Sequence, residues 1–158
     1  MFNYIASGTT RDVYAINDDL VIKIAQNMDS PASWGVRQCR DELSTFLKFG
    51  NKLPLCKILV DMSSETRIIM ERVVSIEEHP HNLDLDQLDD LMWRLSFERE
   101  DDGYLNSLPV MLKRFAENIL KSGLTREEIS SIIYDVERHN IGVKDGDLII
   151  FDYGLLKD

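Results

Sequence analysis

Asp135-Val-Glu-Arg-His-Asn140 is followed, twelve residues after its asparagine, by Asp152-Tyr-Gly154. An aspartate, an asparagine five residues on and a second aspartate place three oxygen-bearing side chains around one short stretch of chain. The first carboxylate is suited to accept a proton from a hydroxyl, and the amide and second carboxylate offer the hard oxygen ligands that Mg²⁺ takes. Between them runs Ile141-Gly-Val-Lys-Asp-Gly-Asp-Leu-Ile-Ile-Phe151, two apolar segments around Asp145-Gly146. An Asp-Gly pair between alternating apolar runs predicts a β-hairpin. Such a hairpin would hold Asn140 and Asp152 on a rigid scaffold.

The front of the chain carries a matching set. Phe2-Asn-Tyr-Ile-Ala-Ser7, Arg11-Asp-Val-Tyr-Ala-Ile16 and Leu20-Val-Ile-Lys-Ile-Ala25 read as three strands, turned at Gly8-Thr-Thr10 and Asn17-Asp-Asp19. Lys23 sits in the third strand between apolar neighbours. Glu42 follows nineteen residues later, in Gln38-Cys-Arg-Asp-Glu-Leu-Ser-Thr-Phe-Leu-Lys48, where Leu43, Phe46 and Leu47 recur at helical spacing. A helix-borne glutamate can hold a strand-borne lysine through an ion pair. Taken alone, Lys23 reads equally well as an exposed strand lysine. The ordered set Lys23, Glu42, Asp135, Asn140 and Asp152 makes that reading the lesser one.

On these residues the chain resembles the protein kinase-like superfamily, including its aminoglycoside phosphotransferase-like branch, in the form of a very small bacterial or phage member. The resemblance runs from Ser7-Gly-Thr-Thr-Arg-Asp-Val-Tyr14 to Asp152-Tyr-Gly154. It implies an α+β fold: a small antiparallel-sheet lobe with one helix over residues 1–74, and an abbreviated, mainly helical lobe over 75–158 ending just after the Asp-x-Gly motif. ATP and Mg²⁺ are the implied cofactors. Lys23 and Glu42 would orient phosphates, Gly8 and Arg11 would approach them, Asn140 and Asp152 would hold the metal, and Asp135 would act as base. Ile68-Ile-Met-Glu-Arg-Val73 is similar to the strand entering the hinge. Met70 would then border the adenine pocket, and the backbone of Glu71 and Val73 would hydrogen-bond the adenine edge.

The departures bear on activity. Of three glycines in the family's phosphate loop only Gly8 is present, with Ala6 and Arg11 flanking it. Glycine lets backbone approach phosphates closely, so positioning would be looser or would use Arg11. Tyr134 stands where many protein kinases carry Arg, and Glu137 where many carry a phosphate-contacting Lys. A further negative charge near a transferred phosphate opposes catalysis. Only Leu155-Leu-Lys-Asp158 follows the Asp-Tyr-Gly, so no activation segment and no peptide-docking helices are expected.

With 44% hydrophobic residues in 158, the chain can bury a substantial core, divided between two small lobes. No apolar run approaches the ~18 residues of a membrane span, and the N-terminus lacks the basic and apolar regions of a signal peptide. Cys39 and Cys56 are not spaced as ligands and read as thiols of a reducing compartment. A cytoplasmic protein is expected, in the host cytoplasm if the chain is phage-encoded.

The net charge of −10 is concentrated. Glu77, Glu78, Asp84, Asp86, Asp89, Asp90, Glu98, Glu100, Asp101 and Asp102 face only Arg94 and Arg99, so this stretch carries eight of the ten net charges. That argues against nucleic-acid binding, which needs a basic face. It reads as a solvated helix face and loop, as a docking face, over 77–102, for a basic protein partner, or as mimicry of nucleic acid. Leu85, Leu88, Leu91, Met92 and Leu95 predict a helix over 85–97 with its acids outward, broken by Asp101-Asp-Gly-Tyr104. A second helix is expected over 108–120, burying Val110, Leu112, Phe115, Ile119 and Leu120 and ended by Gly123. Thr125-Arg-Glu-Glu128 is a capping box opening a third helix through Ile133. His79-Pro-His81 lacks a third ligand and reads as a polar loop.

Two functions fit. One is a phosphotransferase using ATP and Mg²⁺ on a hydroxyl of a protein or small molecule. The other is a weak or inactive pseudokinase that serves as an interaction or inhibitor module through its acidic face.

Overall fold

The computed structural model describes residues 2–153; Gly154 of the Asp-x-Gly motif and the four residues after it lie outside the described residues. The chain divides into two compact units, one of Met1–Gly50 with Cys56–Arg72 and one of Asn51–Leu55 with Val73–Tyr153. The architecture is α+β.

The first unit is an antiparallel sheet in the order β1-β2-β3-β4 with one long helix. Strands β1 (Asn3–Ser7), β2 (Arg11–Ala15), β3 (Leu20–Ala25) and β4 (Arg67–Glu71) match the expected segments to within two residues at each end. The central strand β3 is rich in β-branched residues, which suit a pleated buried surface, and Val21, Ile22 and Ala25 are buried in it. Strand β1 is an exposed edge, bulged between Tyr4 and Ala6.

Helix α1 (Trp34–Phe49) packs on β3 and β4. Ser33 caps its N-terminus by accepting from the Val36 amide. Its buried stripe is Val36, Cys39, Glu42 and Phe49. Of the Leu43, Phe46 and Leu47 that announced the helix, Leu43 and Phe46 are half-buried beside that stripe and Leu47 is 64% exposed. A charged residue thus occupies a core position of α1, and its partners explain why. Gly35 is required by close approach: a Cβ there would lie 2.3 Å from the Thr10 carbonyl oxygen.

The second unit contains α2 (Leu85–Phe97), α3 (Asp102–Ser107), α4 (Val110–Leu120) and α5 (Arg126–Ile133), followed by the hairpin β5 (Ile141–Lys144) and β6 (Asp147–Ile150). Leu88, Leu91 and Leu95 of α2, Leu112, Phe115 and Ile119 of α4, and Ile129 and Ile133 of α5 form its core. The acids Asp86, Asp89 and Asp90 of α2 point outward as expected. Two expectations are corrected. Asp101 does not merely break the chain; its side chain caps α3 by accepting from the Tyr104 amide at 2.7 Å. Val110 is 72% exposed because it opens α4 immediately after Pro109, ahead of the buried turn.

Thr125 and Glu128 make the capping box of α5 in both directions. Positive φ at both Asp145 and Gly146 gives the two-residue turn that matches strand twist, with Lys144 paired to Asp147. Two further segments join this hairpin. The Ile150 amide donates to the Pro54 carbonyl at 2.8 Å, and the Ile76 amide to the Ile141 carbonyl at 2.7 Å. Gly142 permits the second contact, since a Cβ there would meet the Val74 carbonyl oxygen at 2.5 Å.

Candidate active site

In the first unit the strand register places two cations on one face of the sheet. Val13 pairs with Lys23 and Arg11 with Ala25, so Arg11 and Lys23 are same-face diagonal neighbours on adjacent strands. Both are 5% exposed, and Glu42 of α1 is completely buried between them. Lys23 Nζ lies 2.8 Å from Glu42 Oε1, and Arg11 Nη2 lies 3.1 Å from Glu42 Oε2. Burial alone would push the Glu42 carboxyl up, but the charges of Arg11 and Lys23, with their hydrogen bonds, outweigh it and bring it down to about 2. Glu42 is therefore a fixed anion holding two fixed cations. Burial pushes the neighbouring Cys39 thiol up, with Arg11 opposing it, which leaves Cys39 as packing.

Gly8 stands in the β1–β2 turn, where its amide donates to the Arg11 carbonyl at 2.8 Å. Ser7 Oγ donates to Asp12 Oδ1 across this turn, and Gln26 Nε2 donates to the same oxygen at 3.1 Å. These bonds lower the Asp12 carboxyl below its ordinary value. Arg11, expected near phosphates, donates through Nη2 to Glu42 Oε2. Met70 is buried in β4 opposite Val21. The Glu71 amide donates to the Lys57 carbonyl at 3.0 Å, and its carbonyl accepts from Cys56 Sγ at 3.2 Å. Val73 opens the second unit, and its Cβ lies close over Gly142.

In the second unit α5 delivers the chain to Asp135, which is exposed. The next residues form a 3-10 turn, Arg138–Asn140, in which Asn140 and Glu137 satisfy each other. The Glu137 amide donates to Asn140 Oδ1 at 3.2 Å, and the Asn140 amide to the Glu137 carbonyl at 2.9 Å. Asn140 is buried, and its carbonyl accepts from the Phe151 amide at 2.9 Å. Ile141 pairs with Ile150 at the open end of the hairpin, with Phe151 opposite Asn140 and half-buried Asp152 the next residue along. An amide and a carboxylate at one end of a hairpin are the hard donors that suit Mg²⁺. Among the described residues no three His, Cys, Asp or Glu side chains gather as a metal cluster, the His79–His81 loop included.

Sequence reasoning missed two anchors. One is the Arg11–Glu42 pair, whose signal was an arginine at an inward strand position on the same sheet face as Lys23. The other is Arg138, which pairs with Asp86 at 3.0 Å and with Asp89, tying the 135–140 loop to α2. The acidic segment is thereby partly spent inside its own unit. Asp90 pairs with Arg94 at 2.9 Å, and Glu98 and Glu100 pair with Arg126.

No protein-family model matches the sequence. No curated protein matches it. Solved structures do. The gentamicin complex of APH(2'')-IIa aligns at TM-score 0.50 and 18% identity, covering 98% of this chain and 64% of that one. The streptomycin–ATP ternary complex of APH(2'')-IIa aligns at 0.47 and 17%, covering 98% and 65%. The ADP-bound aminoglycoside phosphotransferase APH(2'')-Ib aligns at 0.48 and 17%, covering 98% and 65%. The chain thus spans less than two thirds of the length of these neighbours. The likeness concerns fold, and that fold is kinase-like.

Proposed function

We propose that the chain binds ATP with Mg²⁺ and transfers a phosphoryl group to a hydroxyl of a protein or small molecule. The buried Lys23–Glu42 pair carries this reading. Two opposite charges taken out of water contribute little net stability over an apolar pair of the same size, so their retention favours use of the lysine as a fixed cation. In this role Lys23 aligns phosphates and Glu42 holds Lys23 with Arg11. The backbone of Glu71 and Val73, bordered by Met70, would take the adenine edge. Asn140 and Asp152 would hold Mg²⁺, which when bound neutralises charge on the phosphates. Asp135, exposed in its loop, accepts the hydroxyl proton. The protein is read as cytoplasmic.

A second reading has specific support. Arg11 is committed to Glu42 and Ala6 replaces a flanking glycine, which weakens the phosphate loop, while Glu137 adds a negative charge beside Asp135. These favour a pseudokinase that works by binding a partner.

A thermal-shift titration with nucleotide, followed by turnover measurements, separates the two. A ligand at about 100 times its dissociation constant adds about 2.7 kcal/mol of stability. ATP alone is expected to stabilise weakly and ATP with Mg²⁺ more, with Asp152→Ala removing the metal increment. Asp135→Asn should keep nucleotide affinity and lower turnover on the order of 10²-fold. No shift with millimolar nucleotide would defeat the ATP reading; a shift without turnover in wild type would favour the pseudokinase.

A further inference from the structure

A groove of about 450 Å³ opens on the second unit between α2 and the chain running from the end of α5 into the 135–140 loop. Its apolar wall is an aromatic row. Trp93 and Phe97 lie one helical turn apart with ring centroids at 5.4 Å, and Phe97 meets Tyr134 edge-on at 5.9 Å. All three rings are about half exposed or more, at 53%, 48% and 62%. Large apolar rings held in a row at a surface mark an interaction site rather than a packing accident.

The polar wall is acidic. Glu77 and Glu137 line the groove, and the one arginine there, Arg138, is held by Asp86 and Asp89. Glu137 Oε2 lies 3.3 Å from His139 Nδ1. Among the described residues no cation pairs with Glu77. The groove therefore offers π faces beside uncompensated negative charge, in a chain of net charge −10.

That combination selects its occupant. Phosphate-bearing nucleic acid and anionic membrane are repelled. A second copy of this chain would bring like charge to like charge. An arginine side chain fits both walls, because its guanidinium stacks on aromatic faces and pairs with carboxylates through a planar fork. The chain itself uses this contact twice elsewhere: Arg37 lies 4.7 Å over the Trp34 ring and Arg94 lies 4.2 Å over the Tyr104 ring.

We infer that the Trp93–Phe97–Tyr134 groove, with Glu77 and Glu137 on its rim, docks an arginine-bearing basic peptide segment of a partner protein. The groove shares the 135–140 loop with the proposed base, yet its occupancy does not depend on phosphoryl transfer.

The test uses the full chain without nucleotide. In a Trp34→Phe background Trp93 is the only tryptophan, so its emission reports the groove alone. A fluorescein-labelled arginine-rich peptide should bind with a dissociation constant on the order of 10–100 µM, change Trp93 emission, and release as salt is raised. Its anisotropy should show that Tyr134→Ala, Trp93→Ala and Glu77→Gln each weaken binding about fivefold to tenfold. These side chains are exposed, and an unchanged melting temperature certifies that each variant folds. The inference is overturned by any of four results: no binding up to about 1 mM, equal binding of a serine-rich peptide, affinity indifferent to the three substitutions, or concentration-dependent self-association that protects Trp93. Equal competition by spermine would also overturn it, since a bare polyamine has no fork to stack and pair.

Discussion

Replacing Glu42 by alanine removes a carboxylate that two buried cations share. Lys23 and Arg11 are each 5% exposed, and each makes an ion pair with the same fully buried carboxylate. Breaking a buried pair by removing one partner costs about 3–5 kcal/mol, most of it the penalty of an uncompensated buried charge. At about 2–4 °C per kcal/mol for a chain of this size, the melting temperature should fall by roughly 6–20 °C. The loss should have a pH signature. The Glu42 carboxyl is held at about 2 in the folded state against 4.5 ordinarily. A depressed carboxyl contributes stability that is complete above about 4.5 and disappears as the pH falls toward 2. The gap between wild type and Glu42→Ala should therefore be full at neutral pH and narrow across that acid window. Circular-dichroism melts and urea titrations at several pH values measure it. A triple change of Glu42, Lys23 and Arg11 to methionine should recover part of the loss, because it removes the two buried cations together with the carboxylate they share. A Glu42→Ala penalty below about 1 kcal/mol, or one independent of pH, would refute the buried triad.

Gly35→Ala puts a methyl 2.3 Å from the Thr10 carbonyl oxygen and 3.1 Å from Ala25. It should destabilise by about 1–3 kcal/mol in a urea titration, although glycine-to-alanine within a helix ordinarily stabilises by up to about 1 kcal/mol; a gain in stability would mean that α1 can retreat from the sheet freely. Arg138→Gln releases the 135–140 loop from Asp86 and Asp89. Amide exchange at Glu137 and Asn140 should quicken, and any turnover should fall with KM for ATP unchanged; unaltered exchange would show that the pairs do not hold the loop.

The Arg138 contacts also revise what the acidic stretch can be asked to do. Reversing Asp86 and Asp89 to lysine would not be a silent surface change, because it would set like charges against Arg138 in the loop that carries Asp135 and Asn140. A charge-reversal test of partner binding belongs at Glu77 instead, which among the described residues makes no ion pair with another element.

Local chemistry was legible in the chain itself. Alternating β-branched residues specify the strands, Asp145-Gly146 specifies its turn through the positive φ both residues adopt, and Thr125 with Glu128 specifies a helix start; each signal acts within a few residues. Lys23, Glu42, Asp135, Asn140 and Asp152 were likewise visible as residue types at telling distances. Burial was not. The leucines of α1 announced a helix but not its inward face, because the stripe that packs on β3 and β4 is chosen by what the sheet presents. The sheet presents Arg11 and Lys23, so α1 turns Glu42 inward and leaves Leu47 outside. The same holds for Arg138, whose partners lie 49 and 52 residues away. Sequence alone determined which groups this protein possesses and which elements carry them. Tertiary structure decided which charges meet, because an ion pair across strands or helices exists only once register and packing have set its distance.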